Sequence, residues 1–130
     1  MNCRKIKETC LYIQDLEKAR AFYQDLLGLD VINYMPEKHL FLRAGESVLL
    51  CFNPEDSKTK VSPPPHFATG PQHLAFEVPA VEYEDHKRAL TKKGITVIDE
   101  VTWKSGMKSF YFRDPAGNIL EIVPDSGIWD

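Results

Sequence analysis

Two stretches of similar pattern decide the fold: residues 8–13, ETCLYI, and residues 73–78, HLAFEV. In each stretch, apolar side chains alternate with other residues, as they do in a β-strand with one buried face. A helical pattern follows each stretch, and three further short apolar stretches follow each helix. The chain is therefore predicted to repeat one β-α-β-β-β unit.

The first half of this repeat is predicted to span about residues 5–52. Asp15 stands at the N-cap of a helix predicted over residues 15–27, and Gly28 stands where a left-handed C-cap is needed. Turn residues then separate three predicted strands, near residues 30–35, 39–43 and 47–52.

A proline-rich segment, residues 53–71, is predicted to be a linker, because its prolines are unsuited to a helix interior or a central strand. The second half then spans about residues 72–124. It has a strand over residues 73–78, a helix over about 81–93 that ends at Gly94, and strands near 95–101, 108–113 and 118–123. The halves also match at Gly28 and Gly94, at Phe41-Leu42-Arg43 and Tyr111-Phe112-Arg113, and at Gly45 and Gly117.

Length and composition indicate one ordinary globular domain of 130 residues. The net charge is −3 and the basic residues are scattered, so nucleic acid is not expected as a partner. The longest apolar run, residues 48–52, is far shorter than the roughly 20 residues of a membrane span. No signal peptide is evident either, and a cytoplasmic location with no membrane partner is expected. The three cysteines lack paired spacing and are interpreted as reduced thiols.

Strand periodicity places three potential metal ligands on the faces opposite the helices. Glu8 shares a face with Cys10, His73 opens the matching strand of the second half, and Glu121 interrupts the apolar run of residues 119–123. Glu8 and His73 occupy equivalent positions, and Glu121 is paired by the repeat with Leu49. A buried carboxylate is costly unless it is paired or bound to a metal. One imidazole and two carboxylates suit Mn²⁺, Fe²⁺, Ni²⁺, Co²⁺ or Zn²⁺, so a divalent metal site is the hypothesis.

Three motifs extend this interpretation over nearly the whole chain: DLEKARAFY with LGL, residues 15–29; QHLAF, residues 72–76; and YFRDPAGN, residues 111–118, leading to Glu121. In these motifs the chain resembles the vicinal oxygen chelate superfamily. That group includes glyoxalase I, fosfomycin-resistance enzymes, methylmalonyl-CoA epimerase, extradiol dioxygenases and bleomycin-resistance proteins. The resemblance implies an α+β fold of two β-α-β-β-β modules, with curved mixed sheets around a metal and ligand cavity, and a homodimer.

The resemblance also implies that Glu8, His73 and Glu121 hold one divalent metal, with Glu8 where the family usually has His. Leu49 matches a position where glyoxalase I has glutamate, which disfavours standard glyoxalase I chemistry. Cys10 stands where fosfomycin-resistance enzymes carry threonine. Extradiol dioxygenases use two His and one carboxylate, whereas this chain offers one His and two carboxylates.

We therefore expect a metal-dependent lyase, isomerase or related redox-neutral enzyme. Its small-molecule substrate would chelate the metal through neighbouring oxygens. Glu121 and Tyr111 are the candidate catalytic residues. The candidate substrate-binding residues are Cys10, Leu49, Trp103, Lys104, Ser109 and Arg113. Two alternatives stay open at this point: a metal-free binding protein of the bleomycin-resistance type, and an Fe²⁺-dependent dioxygenase of the extradiol type.

Overall fold

The computed structural model describes residues 1–130 and contains two four-stranded mixed sheets. The strand orders are β1-β4-β3-β2 and β5-β8-β7-β6, and in each sheet the first strand runs parallel to its neighbour. The strands are β1 Glu8–Tyr12, β2 Asp30–Met35, β3 His39–Ala44, β4 Ser47–Phe52, β5 His73–Val78, β6 Asp99–Thr102, β7 Lys108–Arg113 and β8 Ile119–Pro124. The predicted repeat of two β-α-β-β-β units is confirmed.

Each sheet belongs to its own compact unit, module one over Met1–Gly70 and module two over Pro71–Asp130. In module one, helix α1, Leu16–Arg20, lies against β3 and β4. The Asp15 side chain caps it by accepting a hydrogen bond from the Lys18 backbone N–H at 3.1 Å, as predicted. The helix then widens over Ala21–Leu26, and Gly28 adopts φ 77°. The predicted glycine C-cap geometry is therefore present.

The segment predicted as a linker contains one helical turn, α2, Pro54–Ser57. Pro54 is tolerated there because N–H groups in the first turn of a helix have no intrahelical acceptor, so the N–H that proline lacks is not needed. The Asn53 side chain caps the turn by accepting from the Glu55 backbone N–H at 3.1 Å. Ser57 is fully buried, so this part of the segment packs within module one.

In module two, a short 3₁₀ turn, Ala80–Glu82, leads into helix α3, Tyr83–Lys92, which lies against β8. The predicted strand near residues 95–101 begins only at Asp99, where pairing with Tyr111 of β7 starts. Ile95 is buried outside any strand. An apolar stretch marks burial but does not by itself show where strand pairing begins.

The strand registers divide module two into two faces. Phe110, Phe112, Leu120 and Ile122 pair across β7 and β8 and are buried on the face that α3 covers. The other face, here called the helix-free face, carries His73, Ala75, Glu77, Ser109, Tyr111, Arg113, Ile119, Glu121 and Val123. The predicted assignment of His73 and Glu121 to the face away from the helix is confirmed.

Glu100 of β6 ties this sheet to α3. Its carboxylate accepts from the Tyr83 hydroxyl at 3.0 Å and forms an ion pair with the Lys87 ammonium at 2.8 Å. The hydrogen bond from Lys87 is the main reason that the pKa of Glu100 lies below its usual value, and burial partly opposes it. A lowered carboxylate pKa stabilises the fold above the unfolded-state pKa, and this contribution is lost as pH falls through the folded-state pKa.

We therefore expect Glu100→Gln to lower the free energy of unfolding at pH 7 and to have a much smaller effect below about pH 3, where unfolded carboxylates are protonated. Urea unfolding of wild type and variant at both pH values measures this. Glu77→Gln, which changes an exposed carboxylate on β5, is the matched control. An equal loss of stability at both pH values would show that Glu100 acts by packing alone.

Candidate functional site

Two of the three predicted metal ligands meet on the helix-free face of module two. His73 lies on β5 and Glu121 on the neighbouring parallel strand β8, where Glu121 pairs with Ala75. This register places His73 diagonally beside Glu121, with 3.3 Å between His73 Nε2 and Glu121 Oε2. The His73 side chain is exposed, whereas Glu121 is only 7 % exposed. A buried carboxylate therefore faces one nitrogen of an accessible imidazole.

The other nitrogen of His73, Nδ1, already has a hydrogen-bond partner. Nδ1 lies 3.0 Å from the backbone carbonyl oxygen of Ile119. A carbonyl oxygen only accepts hydrogen bonds, so in the neutral ring Nδ1 carries the proton and Nε2 carries the free lone pair. This is the arrangement that metal-binding histidines use, in which a backbone acceptor fixes the tautomer and the ring orientation.

Tyr111 of β7 is the direct cross-strand partner of Glu121, so the two side chains lie beside each other on the helix-free face. Its ring also lies against the ring of His73, with 6.1 Å between the centroids and 28° between the planes. Burial is the main cause that raises the pKa of Tyr111 above its usual value, with Glu121 adding to it. The phenol is therefore a hydrogen-bond donor at neutral pH.

A buried turn anchors the strand ends that carry His73. The Asp114 carboxylate accepts from the Asn118 backbone N–H and side-chain amide, both at 2.9 Å. The Asn118 side-chain oxygen in turn accepts from the Gln72 backbone N–H at 2.9 Å. Gln72 precedes His73, and its carbonyl oxygen accepts from the Ile119 N–H at 2.8 Å. The turn therefore fixes Gln72, which precedes His73, and Ile119, whose carbonyl oxygen contacts the imidazole.

The side chains present suit a divalent metal. An imidazole nitrogen and a buried carboxylate oxygen lie 3.3 Å apart, and both are common metal ligands. No group of three or more His, Cys, Asp or Glu side chains in the chain is placed to hold a metal ion. The third predicted ligand, Glu8, is an exposed residue at the start of β1 in module one. Its partner in the sheet is Val48, which puts it on the face that also carries Cys10.

The predicted equivalence of Leu49 with Glu121 is wrong by one residue. Glu8 pairs with Val48 as His73 pairs with Ile119, so Cys10 and Leu50 correspond to Ala75 and Glu121. Leu49 points to the opposite face of the sheet and is 1 % exposed in the core. It is therefore not available to a substrate, and Leu50 is the residue of module one at the position of Glu121.

Ser109 is also misassigned as a substrate contact, because it is fully buried. Its hydroxyl accepts a hydrogen bond from the Trp103 indole nitrogen at 3.0 Å. Trp103, in the turn between β6 and β7, is half-buried over it, and the neighbouring Lys104 is exposed. Arg113 is exposed and donates to the Gly117 carbonyl oxygen at 3.3 Å.

Cys10 is half-buried on module one, and burial, followed by the charge of Glu8, raises the pKa of its thiol. It is therefore a neutral thiol near pH 7 and not a nucleophilic thiolate. Near it the structure shows an aromatic group that the sequence analysis missed. Its members, on the same face as Cys10 or packed onto it, are Tyr12, His39, Phe41, Phe52 and His66.

Hydrogen bonds orient both imidazoles of this aromatic group. Tyr12 Oη lies 2.7 Å from His66 Nδ1, and His39 Nε2 lies 2.6 Å from the Asn33 side-chain oxygen. The His39 ring is stacked on Phe41 with 4.0 Å between centroids. Burial is the main cause that lowers the pKa of His39, so its ring is neutral near pH 7. The alternation of β3 indicated which of its side chains share a face, but nothing in the sequence indicated that His66 folds back to Tyr12.

This architecture, two β-α-β-β-β modules with a His and Glu pair on adjacent strands, defines the class of protein, and comparison with known proteins agrees. Residues 5–122 match the family model described as the Glyoxalase/Bleomycin resistance protein/Dioxygenase superfamily. The chain belongs to this superfamily.

Individual relatives are consistent with this assignment. A lactoylglutathione lyase from Agrobacterium tumefaciens is 34 % identical, with a TM-score of 0.90 over 95 % of both chains. The glutathione transferase FosA of Serratia marcescens is 28 % identical over 92 % of this chain and 79 % of its own length. An integron cassette protein from the Halifax Harbour sewage outfall metagenome is 25 % identical, with a TM-score of 0.77 over 94 % of this chain and 99 % of its own. None of the helices in the structure has the length and apolar character to span a membrane.

Proposed function

We propose that this protein is a metal-dependent enzyme of the glyoxalase type that catalyses a redox-neutral reaction, as a lyase or isomerase, on a small oxygenated substrate. One observation carries the proposal: His73 Nε2 lies 3.3 Å from the buried carboxylate of Glu121, while His73 Nδ1 lies 3.0 Å from the Ile119 carbonyl oxygen. With the imidazole neutral, Nε2 and the carboxylate oxygen are both acceptors, and a cation bound between them would remove their repulsion. The proposed metal is Mn²⁺, Fe²⁺, Ni²⁺, Co²⁺ or Zn²⁺, with Glu8 as a further ligand.

When bound, such a metal acts as a Lewis acid that polarises neighbouring substrate oxygens. The chain's own residues have separate tasks. His73 is oriented by the Ile119 carbonyl, and Glu121 lies beside Tyr111, its direct partner across β7 and β8. Tyr111 is half-buried on the same face and is the proposed hydrogen-bond donor to a substrate.

The module-one position equivalent to Glu121 is apolar, since it is Leu50. A carboxylate is therefore absent from the position at which glyoxalase I has a glutamate, which supports a reaction other than standard glyoxalase I proton shuttling. Two of the relatives, the lactoylglutathione lyase and FosA, have glutathione in their names, so the first substrates to test are lactoylglutathione and glutathione with an electrophilic partner. A homodimer is proposed with this function, on the family resemblance.

Metal content is the decisive measurement. After loading with Mn²⁺, Ni²⁺, Co²⁺ or Zn²⁺ and removal of excess, we expect about one ion per chain in wild type and almost none in His73→Ala, because a ligand is lost. His86→Ala is the matched control. His86 of α3 also faces a carboxylate, with 3.2 Å to Glu82 of the preceding 3₁₀ turn, but both side chains of that pair are exposed.

Equal metal retention by wild type and His73→Ala would overturn the proposed metal site. Loss of metal in His86→Ala as well would show that binding is adventitious and follows any surface histidine. Wild type that binds one ion, and loses catalytic turnover with the same panel of substrates when the ion is removed by chelator, supports an enzyme.

A second candidate function is favoured by the aromatic group of module one. Stacked and edge-on rings around Phe41 and Phe52, with two oriented imidazoles, suit a planar ligand held without chemistry. This function resembles sequestration by bleomycin-resistance proteins. It predicts tight binding of an aromatic ligand by metal-free protein, and undiminished binding in His73→Ala. Ligand affinity that depends on the metal would exclude it.

A further inference from the structure

The segment that follows β8, residues 125–130, is fixed to the rest of module two at two separate points. At its start, the Asp125 N–H donates a hydrogen bond to the Val78 carbonyl oxygen at 2.9 Å. Further along, the Gly127 carbonyl oxygen accepts a hydrogen bond from the Ser105 hydroxyl. Ser105 belongs to the turn between β6 and β7. This segment, here called the strap, therefore joins the end of β5 to that turn.

The strap and the turn meet at Ser105 and Gly127. The Ser105 oxygen accepts from the Met107 N–H at 3.2 Å while its hydroxyl donates to the strap. The Gly127 N–H donates to the Asp130 carboxylate at 2.5 Å, and its φ of 84° lies in the region that favours glycine. A Cβ added at Gly127 would clash with the Met107 side chain. The strap therefore lies against the turn so closely that residue 127 has no room for a side chain.

The turn held in this way carries Trp103. The Trp103 N–H donates to the Met107 carbonyl oxygen at 2.8 Å, and the Gly106 N–H donates to the Trp103 carbonyl oxygen at 2.9 Å. The indole N–H donates to the Ser109 hydroxyl at 3.0 Å, which places the ring over the helix-free face. Because this N–H is already used, the indole offers a ligand only its ring, a surface suited to apolar or planar groups.

We propose that the strap holds Trp103 over the helix-free face, with Ser105 and Gly127 as positioning residues that act through the turn. This inference rests on the proposed function only in treating Trp103 as a substrate contact. The group placed against the indole is an apolar or planar part of the substrate. The strap contacts described above do not include His73 or Glu121. Loss of the strap should therefore move the indole and leave metal affinity unchanged.

The test is the fluorescence of Trp103 in a Trp129→Phe background, in which Trp103 is the only tryptophan left. Trp129 is 93 % exposed, so its replacement leaves the fold unchanged. Ser105→Ala removes the hydrogen bond to the strap. Gly127→Ala adds the clashing Cβ in a left-handed conformation, which favours the detached strap by roughly 10-fold. Both variants are expected to increase quenching by acrylamide and to shift the emission to longer wavelength, because the indole becomes more exposed to water.

Three control variants separate this effect from general loosening. Ser126→Ala makes the same chemical change at an exposed residue of the strap. Gly45→Ala replaces a glycine with φ 58° in the β3–β4 turn of module one, where an added Cβ meets nothing within 4 Å. Both should leave the quenching of Trp103 unchanged. Ser105→Thr keeps the hydroxyl and should retain the quenching seen with Ser105.

Unchanged quenching in both Ser105→Ala and Gly127→Ala would overturn the strap, and so would equal increases in the control variants. Co²⁺ affinity is measured on the same proteins. Increased quenching with retained Co²⁺ affinity supports the positioning role, whereas a parallel loss of Co²⁺ affinity would overturn it by showing that the whole face is disturbed. If the parent protein binds no divalent ion, the proposed metal site fails, while the quenching still decides whether the strap holds the indole. If Gly127→Ala does not fold, the comparison of Ser105→Ala with Ser105→Thr decides.

Discussion

Glu121→Gln is expected to weaken metal binding by more than about 100-fold and to abolish metal-dependent turnover while the protein stays folded. The amide has nearly the same shape as the carboxylate, and its oxygen can still accept a hydrogen bond. It lacks the negative charge that a metal ligand supplies. Loss of an outer partner alone already costs 10-fold to 100-fold, so loss of a ligand costs more.

The matched control is Glu77→Gln, which makes the same chemical change on the same face of the sheet. Glu77 lies on β5 and pairs with Val123, two residues beyond the Ala75–Glu121 pair and so on the same face, and it is exposed. Metal content, turnover and urea unfolding are measured for both variants. Equal metal affinity in Glu121→Gln and wild type would contradict the ligand role. A large loss of stability in Glu121→Gln with unchanged metal content would assign the carboxylate a purely structural role.

The architecture was predictable because each module repeats strong local patterns. Alternation over residues 73–78 set the faces of β5, and Asp15 and Gly28 marked the two ends of the first helix. His73 and Glu121 could be placed on one face by the same rule, and the structure brings them to 3.3 Å. The local pattern therefore contained enough information to find the central pair of the candidate site.

The phase of β4 could not be predicted from its sequence. Residues 48–52 are continuously apolar, so no alternation indicates which side chains face the core. A shift of one residue exchanges the two faces of a strand, and this is the difference between Leu49 and Leu50. Only the pairing of β4 with β1, whose alternation is clear, shows which side chains of β4 face the core.

Contacts made by turn and loop residues could not be predicted from the sequence for a different reason. Ser109 lies on the helix-free face, but its burial depends on how Trp103 folds back from the β6–β7 turn. The bond between Tyr12 and His66 joins residues far apart in sequence. Periodicity reports which way a strand residue points, and it carries no information about a side chain that arrives from a loop.

Asn118→Ala is expected to lower the free energy of unfolding by about 2–3 kcal/mol and to weaken metal binding about 10-fold. Asn118 is buried and joins Asp114 to the Gln72 backbone, so truncation deprives a buried carboxylate of one donor and a backbone N–H of its acceptor. The Gln72 end of β5 then loosens. His73 follows directly, and its orientation depends on the Ile119 carbonyl one residue beyond Asn118.

The control for this variant is Asp125→Ala, at the opposite end of the same strand pair. Asp125 also ties β8 to the chain after β5, by accepting from the Ala80 backbone N–H at 3.0 Å, but it is exposed. We expect it to cost less than about 1 kcal/mol and to leave metal affinity unchanged. Affinities are compared at a temperature where both variants are folded. A loss of metal affinity confined to Asn118→Ala would show that the anchor beside His73 orients the ligand. Equal losses of metal affinity in both variants would contradict this.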